Sequence, residues 1–222
     1  MKFEKRVVKV LNTLDEYYPR NIPCYLNHET PWQLLIATIL SAQCTDDRVN
    51  KVTKDLFEKY RSVEAFAQAD IKELEEDIRS TGFYRNKAKN IIACCKKLQT
   101  QYDSQVPKDM DQLTDLDGVG RKTANVIRGN IFKEPSIVVD THVKRVSNRL
   151  GFVKSDDPVK IEFELMDVLP KEHWIDYNTQ IIAHGREICK ARGPLCEKCF
   201  FLQYCPYGLQ YQYQQIVDSI RK

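Results

Sequence analysis

Two closely spaced glycines, Gly118 and Gly120, interrupt a helix-forming stretch: the apolar residues Met110, Leu113 and Leu116 lead up to them, and a helical run from Thr123 to Ile131 follows. Glycine takes φ > 0 without steric penalty and lets the backbone come close to a ligand, so the chain can turn sharply here. The following helix begins at the turn. Its unpaired N–H groups and positive dipole end form a site for an anion, and a DNA phosphate fits it without any side-chain charge. A plain helix-turn-helix corner containing glycine has the same pattern, so the turn alone does not assign a function.

Lys122 adds chemistry to the turn. An amine nucleophile must be neutral, and a lysine of ordinary pKa, about 10.4, is neutral in only about one molecule in 2,500 at pH 7. A neighbouring cation such as Arg121 and the positive end of a helix are surroundings that help. Most lysines beside a DNA-binding turn only neutralise phosphate, and that reading stands next to the nucleophile. Asp140 ends the apolar run Ile137-Val138-Val139 and precedes a helix expected from Thr141 to Leu150. Its ordinary job is to cap that helix. A capping carboxylate at the edge of a cleft can also stabilise developing positive charge on a sugar or accept a proton.

The rest of the chain reads as all-α. Phe3, Val7, Val10, Leu11, Leu14 and Tyr18 recur at helical spacing, as do Val49, Val52, Leu56 and Phe57, and then Ala88, Ile91, Ile92, Cys95 and Leu98. Thr30-Pro31 predicts an N-cap with proline at the first helical position, and Asp70 with Glu73 predicts a capping box before Leu74 and Ile78. No internal repeat, low-complexity linker or β-hairpin signal is present. The Tyr/Gln-rich end from Tyr207 to Gln215 is expected to be a loosely held tail. With 222 residues and 42% hydrophobic content the chain can form one domain or two small ones, and its longest apolar run, Leu34 to Leu40 with Thr38 inside it, is too short to span a membrane. Net charge is only +3, but basic residues are concentrated: seven Lys/Arg against three acids from Asp117 to Leu150, and five against none from Phe83 to Tyr102. Such segments can track a phosphate backbone, although most charge runs are solvated helix faces.

Four of the eight cysteines, Cys189, Cys196, Cys199 and Cys205, follow the pattern C-x6-C-x2-C-x5-C, with Pro206 directly after the last. The opening residues M-K-F-E-K-R have no apolar secretion-signal core, so a reducing, cytoplasmic and nucleoid-associated location is expected and disulfides are not. Four clustered thiolates suit tetrahedral zinc or a [4Fe–4S] cluster, and the ligand type does not choose between them. Cys24, Cys44, Cys94 and Cys95 read as small packing residues.

The run L-D-G-V-G-R-K-T-A-N-V, the later V-D-T-H-V-K-R-V and H-G-R, the upstream L-S-A-Q-C-T-D and T-G-F-Y-R-N-K-A, and the terminal cysteines occur in an order that resembles the endonuclease III family of helix-hairpin-helix DNA glycosylases over nearly the whole chain. The resemblance implies two helical domains flanking a cleft. Residues 23–134 would form a helical barrel domain with the helix-hairpin-helix at about 110–131, and 1–22 with 135–222 a discontinuous domain holding a [4Fe–4S] cluster on Cys189, Cys196, Cys199 and Cys205. Lys122 and Asp140 would be catalytic and face each other across that cleft. Gly118, Gly120, Arg121, Thr123, His142 and Arg145 would contact DNA, and Gln43 and Phe83 would fill the gap left by a flipped nucleotide. The partner would be double-stranded DNA carrying a damaged pyrimidine or an abasic site, bound by a monomer.

The implied reaction is attack of the Lys122 amine on the sugar C1′, release of the oxidised base, a Schiff base, and β-elimination that cuts on the 3′ side, with Asp140 assisting. Two positions depart from the family pattern. Asp117 stands where proline is common, either weakening phosphate binding or capping the next helix, and Phe83 stands where leucine is usual. A helix-end role for Gln43 and a core role for Phe83 are the ordinary alternatives. Two other functions fit parts of the pattern: a mismatch adenine glycosylase, which lacks a lysine nucleophile, and a non-catalytic DNA-structure-binding module.

Overall fold

The computed structural model describes residues 2–220, which are helical with connecting turns and contain no strand among the described residues. Contacts divide the chain into two compact units, Cys24–Glu134 and the pair of segments Met1–Pro23 and Pro135–Lys222. Each has its own apolar core.

Helix α1 (Phe3–Tyr17) belongs to the discontinuous unit and buries Val7, Val10, Leu11 and Leu14, the stripe expected from their spacing. Phe3 lies at the open end of that stripe, 40% exposed, with its ring edge-on to Phe152. The unit formed by 24–134 follows, and its central element is α2 (Pro31–Leu40). Thr30 and Gln33 form a full capping box, Pro31 holds the first helical position, and every residue from Leu34 to Leu40 is buried. The apolar run seen in the sequence is therefore a core helix, surrounded on all sides.

Around it stand α3 (Asp46–Lys59), α4 (Val63–Ala67), α5 (Ile71–Asp77), α6 (Tyr84–Gln101), α7 (Met110–Thr114) and α8 (Arg121–Asn130). Trp32, Phe57, Tyr60 and Phe66 pack as a cluster of edge-on and tilted rings, with Phe66 fully enclosed. Asp70 caps α5 by accepting from the Lys72 and Glu73 N–H groups. The reciprocal half of the expected capping box is replaced by an ion pair of Glu73 with Lys59 at 2.8 Å. A full charge on Lys59 attracts the carboxylate more strongly than one backbone amide does.

The chain returns to the first unit with α9 (Thr141–Arg149), α10 (Pro158–Val168), α11 (Trp174–Glu187) and α12 (Pro206–Ile220). Within it α9 lies against α11, joined by the buried hydrogen bond between Ser147 Oγ and the Tyr177 hydroxyl at 2.9 Å. The segment between α11 and α12 carries the four spaced cysteines: Cys189 follows α11, Cys196 opens a short 3₁₀ turn (Cys196–Lys198) that Cys199 ends, and Cys205 ends a second (Leu202–Tyr204). The expected loose tail is instead helix α12. Tyr207, in its first turn, lies under the Arg149 guanidinium, 4.4 Å from the ring centre, and stacks on Tyr211. A cation–π contact and a stacked pair one turn apart fasten a segment whose composition shows no clear apolar stripe.

Candidate functional site

In the 24–134 unit the glycine turn joins α7 to α8. Gly118 has φ +77°, and a Cβ there would stand 2.9 Å from the Asn90 Cβ on α6, so both conformation and space demand glycine. Gly120 differs. It is the N-cap of α8 with φ −92° and nothing within 4 Å of a built Cβ. No side chain caps α8, so its first turn is available to an anion from solvent. Arg121 and Thr123 are half-buried on that turn and Lys122 is exposed. Asp117 is exposed as well and does not cap α8. Its charge acts on Lys97 and Cys94 of α6.

Two further turns of the same unit carry strained residues. Gln43, in the turn after α2, has φ 53°, and Phe83, the residue before α6, has φ 49° and ψ 26°. The left-handed region costs a residue with a Cβ about 1–2 kcal/mol, so both conformations are held by their surroundings. Both side chains are exposed, Phe83 at 63%. The core role open to Phe83 on sequence grounds is excluded: the ring stands in solvent on a backbone that would be relaxed with glycine.

In the discontinuous unit Asp140 is the N-cap of α9. Its Oδ1 accepts the Val143 N–H at 2.7 Å, and its second oxygen has no hydrogen-bond partner among the described residues. The preceding Ile137, Val138 and Val139 are buried, and Asn178 Nδ2 donates to the Val138 carbonyl at 3.1 Å, which fixes the strand-like run that aims the cap. One carboxylate thus caps a helix and keeps an oxygen in reserve. His142, the second residue of α9, is half-buried.

Arg145 follows one turn later, half-buried, and makes several internal hydrogen bonds. Nε donates to the Cys189 carbonyl at 3.1 Å, and one terminal nitrogen to the Gly185 carbonyl at 3.2 Å and His142 Nδ1 at 3.0 Å. It braces α9 against the end of α11. That brace also explains the glycine of H-G-R: a Cβ at Gly185 would meet His142 Nδ1 at 2.6 Å and the Arg145 guanidinium at 2.9 Å.

Cys189, Cys196, Cys199 and Cys205 are all free thiols and line a single pocket with Val146, Arg149, Leu150 and His184. Burial pushes the Cys199 thiol up to about 12 and raises Cys196 and Cys205 as well, so ionised sulfur here requires compensating positive charge. Two donors already point at sulfur: Arg149 to Cys189 Sγ at 3.3 Å and the Gly208 N–H to Cys205 Sγ at 3.4 Å. Among the described residues no three His, Cys, Asp or Glu side chains converge as a single metal ion would require. Cys94 and Cys95 are buried in the other core and Cys24 is half-buried, in keeping with packing roles.

Residues 36–171 match the model of the HhH-GPD superfamily of base excision DNA repair proteins. The chain is 49% identical to endonuclease III of Synechocystis sp. over 91% of its own length and 93% of the relative's, and 45% identical to endonuclease III of Bacillus subtilis over 92% and 93%. Its fold superposes with a TM-score of 0.90 on a trapped endonuclease III–DNA covalent intermediate, 46% identical, covering 96% of this chain and all of that one.

Proposed function

This chain belongs to the endonuclease III family of HhH-GPD base excision DNA repair proteins, and we propose that Lys122 and Asp140 carry the family's reaction in it. The chain is a bifunctional DNA glycosylase and AP lyase. The residue assignment rests on one observation above the others: Lys122 is an exposed lysine on the first turn of a helix whose end no side chain caps. A phosphate held by those amides presents the neighbouring sugar to the amine without the lysine being spent on charge neutralisation.

The steps follow from what each group can do. The neutral Lys122 amine attacks C1′ of a nucleotide extruded from duplex DNA, the C1′–N bond to an oxidised pyrimidine breaks, and the base leaves with a proton. Loss of the ring oxygen bond gives an iminium between Nζ and C1′. Removal of a proton from C2′ then expels the 3′ phosphate, and water releases the lysine. Asp140, with one oxygen fixed as a cap, stabilises the cationic sugar and accepts protons. Gly118, Gly120, Arg121, Thr123 and His142 would hold the DNA backbone, and Gln43 and Phe83 would occupy the space left by the extruded nucleotide.

Borohydride reduction tests the assignment. Wild-type protein should trap covalently on abasic or thymine-glycol duplex, and Lys122→Ala should not; trapping by the variant would move the nucleophile elsewhere. Asp140→Asn keeps the cap, since asparagine caps as well as aspartate, so a rate loss of roughly 10²-fold with unchanged thermal stability is expected. An equal loss of stability would reduce Asp140 to a structural residue.

The four cysteines fit a [4Fe–4S] cluster: four thiols around one pocket, two directed N–H donors, and a need for positive charge to ionise them. Such a cluster would supply that charge and fasten the segment between α11 and α12. Anaerobically purified protein should show broad visible absorbance and stoichiometric iron; zinc in place of iron would overturn the assignment.

A further inference from the structure

One lysine of the basic segment Phe83 to Tyr102 faces inward. Lys87, in the first turn of α6, is 4% exposed, and its ammonium donates to the carbonyls of Leu40 and Thr81, each at 2.8 Å. Burial lowers its pKa from the ordinary lysine value, with the neighbouring Cys44 opposing the shift. The positive end of α6, whose first turn contains no acid, disfavours a cation here, and the carbonyl end of α2 is the one helix terminus that favours it among the groups the ammonium meets. A methionine would fill similar space without the desolvation cost of an ammonium.

The two carbonyls explain why an ammonium stands there. That of Leu40 is the last of α2, one of the acceptors a helix end leaves without a partner, and it lies three residues before strained Gln43. That of Thr81 closes the 3₁₀ turn Arg79–Thr81 and lies two residues before strained Phe83. The Lys87 backbone N–H also donates to the Phe83 carbonyl, at 3.1 Å. A single residue therefore grips both turns, across 47 positions of sequence on one side and six on the other. Left-handed conformations of Gln and Phe persist only where neighbours over-determine them, and this grip is one contact that reaches both turns.

We propose that Lys87 is a positioning residue for base extrusion: a buried clamp that ties the Gln43 turn to the Phe83 turn, so that both side chains stand at a set spacing before DNA binds. The proposal rests on the reading of Gln43 and Phe83 as gap fillers. Lys87 itself touches no DNA. Its effect is to remove the ordering cost that two independent loops would incur on binding.

The test compares two substrates for the full-length, iron-loaded protein: single-turnover base release from a thymine-glycol duplex, which requires a filled gap, and borohydride trapping on a single-stranded abasic oligonucleotide, which has no opposite strand. Lys87→Met should lower the duplex rate about tenfold or more and leave single-strand trapping within about twofold, because only the duplex reaction needs the two turns in register. Lys87→Gln, able to donate to one carbonyl, should fall between, and it supplies the same ratio should the methionine variant fail to fold. Equal losses on both substrates would make Lys87 a general structural support and overturn the proposal. Gln43→Ala and Phe83→Ala separate the two levels: if neither slows the duplex reaction, the gap-filling reading fails and the clamp with it, whereas losses in both beside an unaffected Lys87→Met sink the clamp alone.

Discussion

Gly118 and Phe83 both hold backbones with φ > 0 in turns that lead into helices of the same unit, yet one position has no side chain and the other has a large exposed ring. At Gly118 the conformation is unstrained and the gap beside Asn90 admits no Cβ, so what the turn offers is backbone: the uncapped amide end of α8. At Phe83, and likewise at Gln43, the backbone would relax with glycine, but what the turn offers is a side chain. The difference lies in what each turn exposes. At Gly118 the glycine leaves the main chain open, whereas Phe83 holds a bulky side chain in solvent at a cost in backbone strain.

Four substitutions break or sharpen this contrast. The largest effect belongs to Lys122→Ala, which should reduce covalent trapping by roughly 10³-fold or more while duplex affinity changes little, because the amide end of α8 survives. A parallel collapse in affinity, read by anisotropy, would show that the side chain and not the backbone carries binding at this turn. Next is Gly118→Ala, expected to lose about 1–3 kcal/mol in urea unfolding from left-handed strain and the contact with Asn90. Phe83→Gly should slow base release from duplex about tenfold yet leave unfolding unchanged or up to about 1 kcal/mol more favourable to the folded state, since relief of strain outweighs the little burial lost. A marked destabilisation would mean the ring is a packing residue. Smallest is Gly120→Ala, within about 0.5 kcal/mol in stability because its φ is ordinary and its surroundings are open, with a measurable loss of duplex affinity as the only trace.

Much of the architecture is legible in the sequence. Thr30-Pro31 and Asp70 begin helices because short polar side chains reach the amides of the next turn, and that chemistry is local. The stripe Val7, Val10, Leu11 and Leu14 is buried because helical spacing puts those residues on one face. Asp140 caps α9 for the same local reason. What could not be read was direction. Lys87 sits in a basic segment that suggests phosphate contact, yet its ammonium bonds two distant carbonyls, and Arg145 on the other basic segment also donates to carbonyls at the end of α11. Helix α12 does not show in the sequence because its hold comes from Arg149, far away in the chain, and from Cys205 at its threshold. For Lys87 a weak signal existed: it falls on the inward side of α6, one residue before buried Ala88 and four before buried Ile91.

The sequence by itself determined the capped helix starts, the glycine at positive φ and the apolar stripes, since each depends on residues within a turn or two of one another, and it showed the four-cysteine spacing directly. Only the tertiary structure decided that Phe83 stands in solvent, that Lys87 is buried between two strained turns and that Arg145 donates to carbonyls at the end of α11. Those outcomes depend on which carbonyls and which empty space a long side chain meets, and its neighbours in space are set by chain segments tens of residues away.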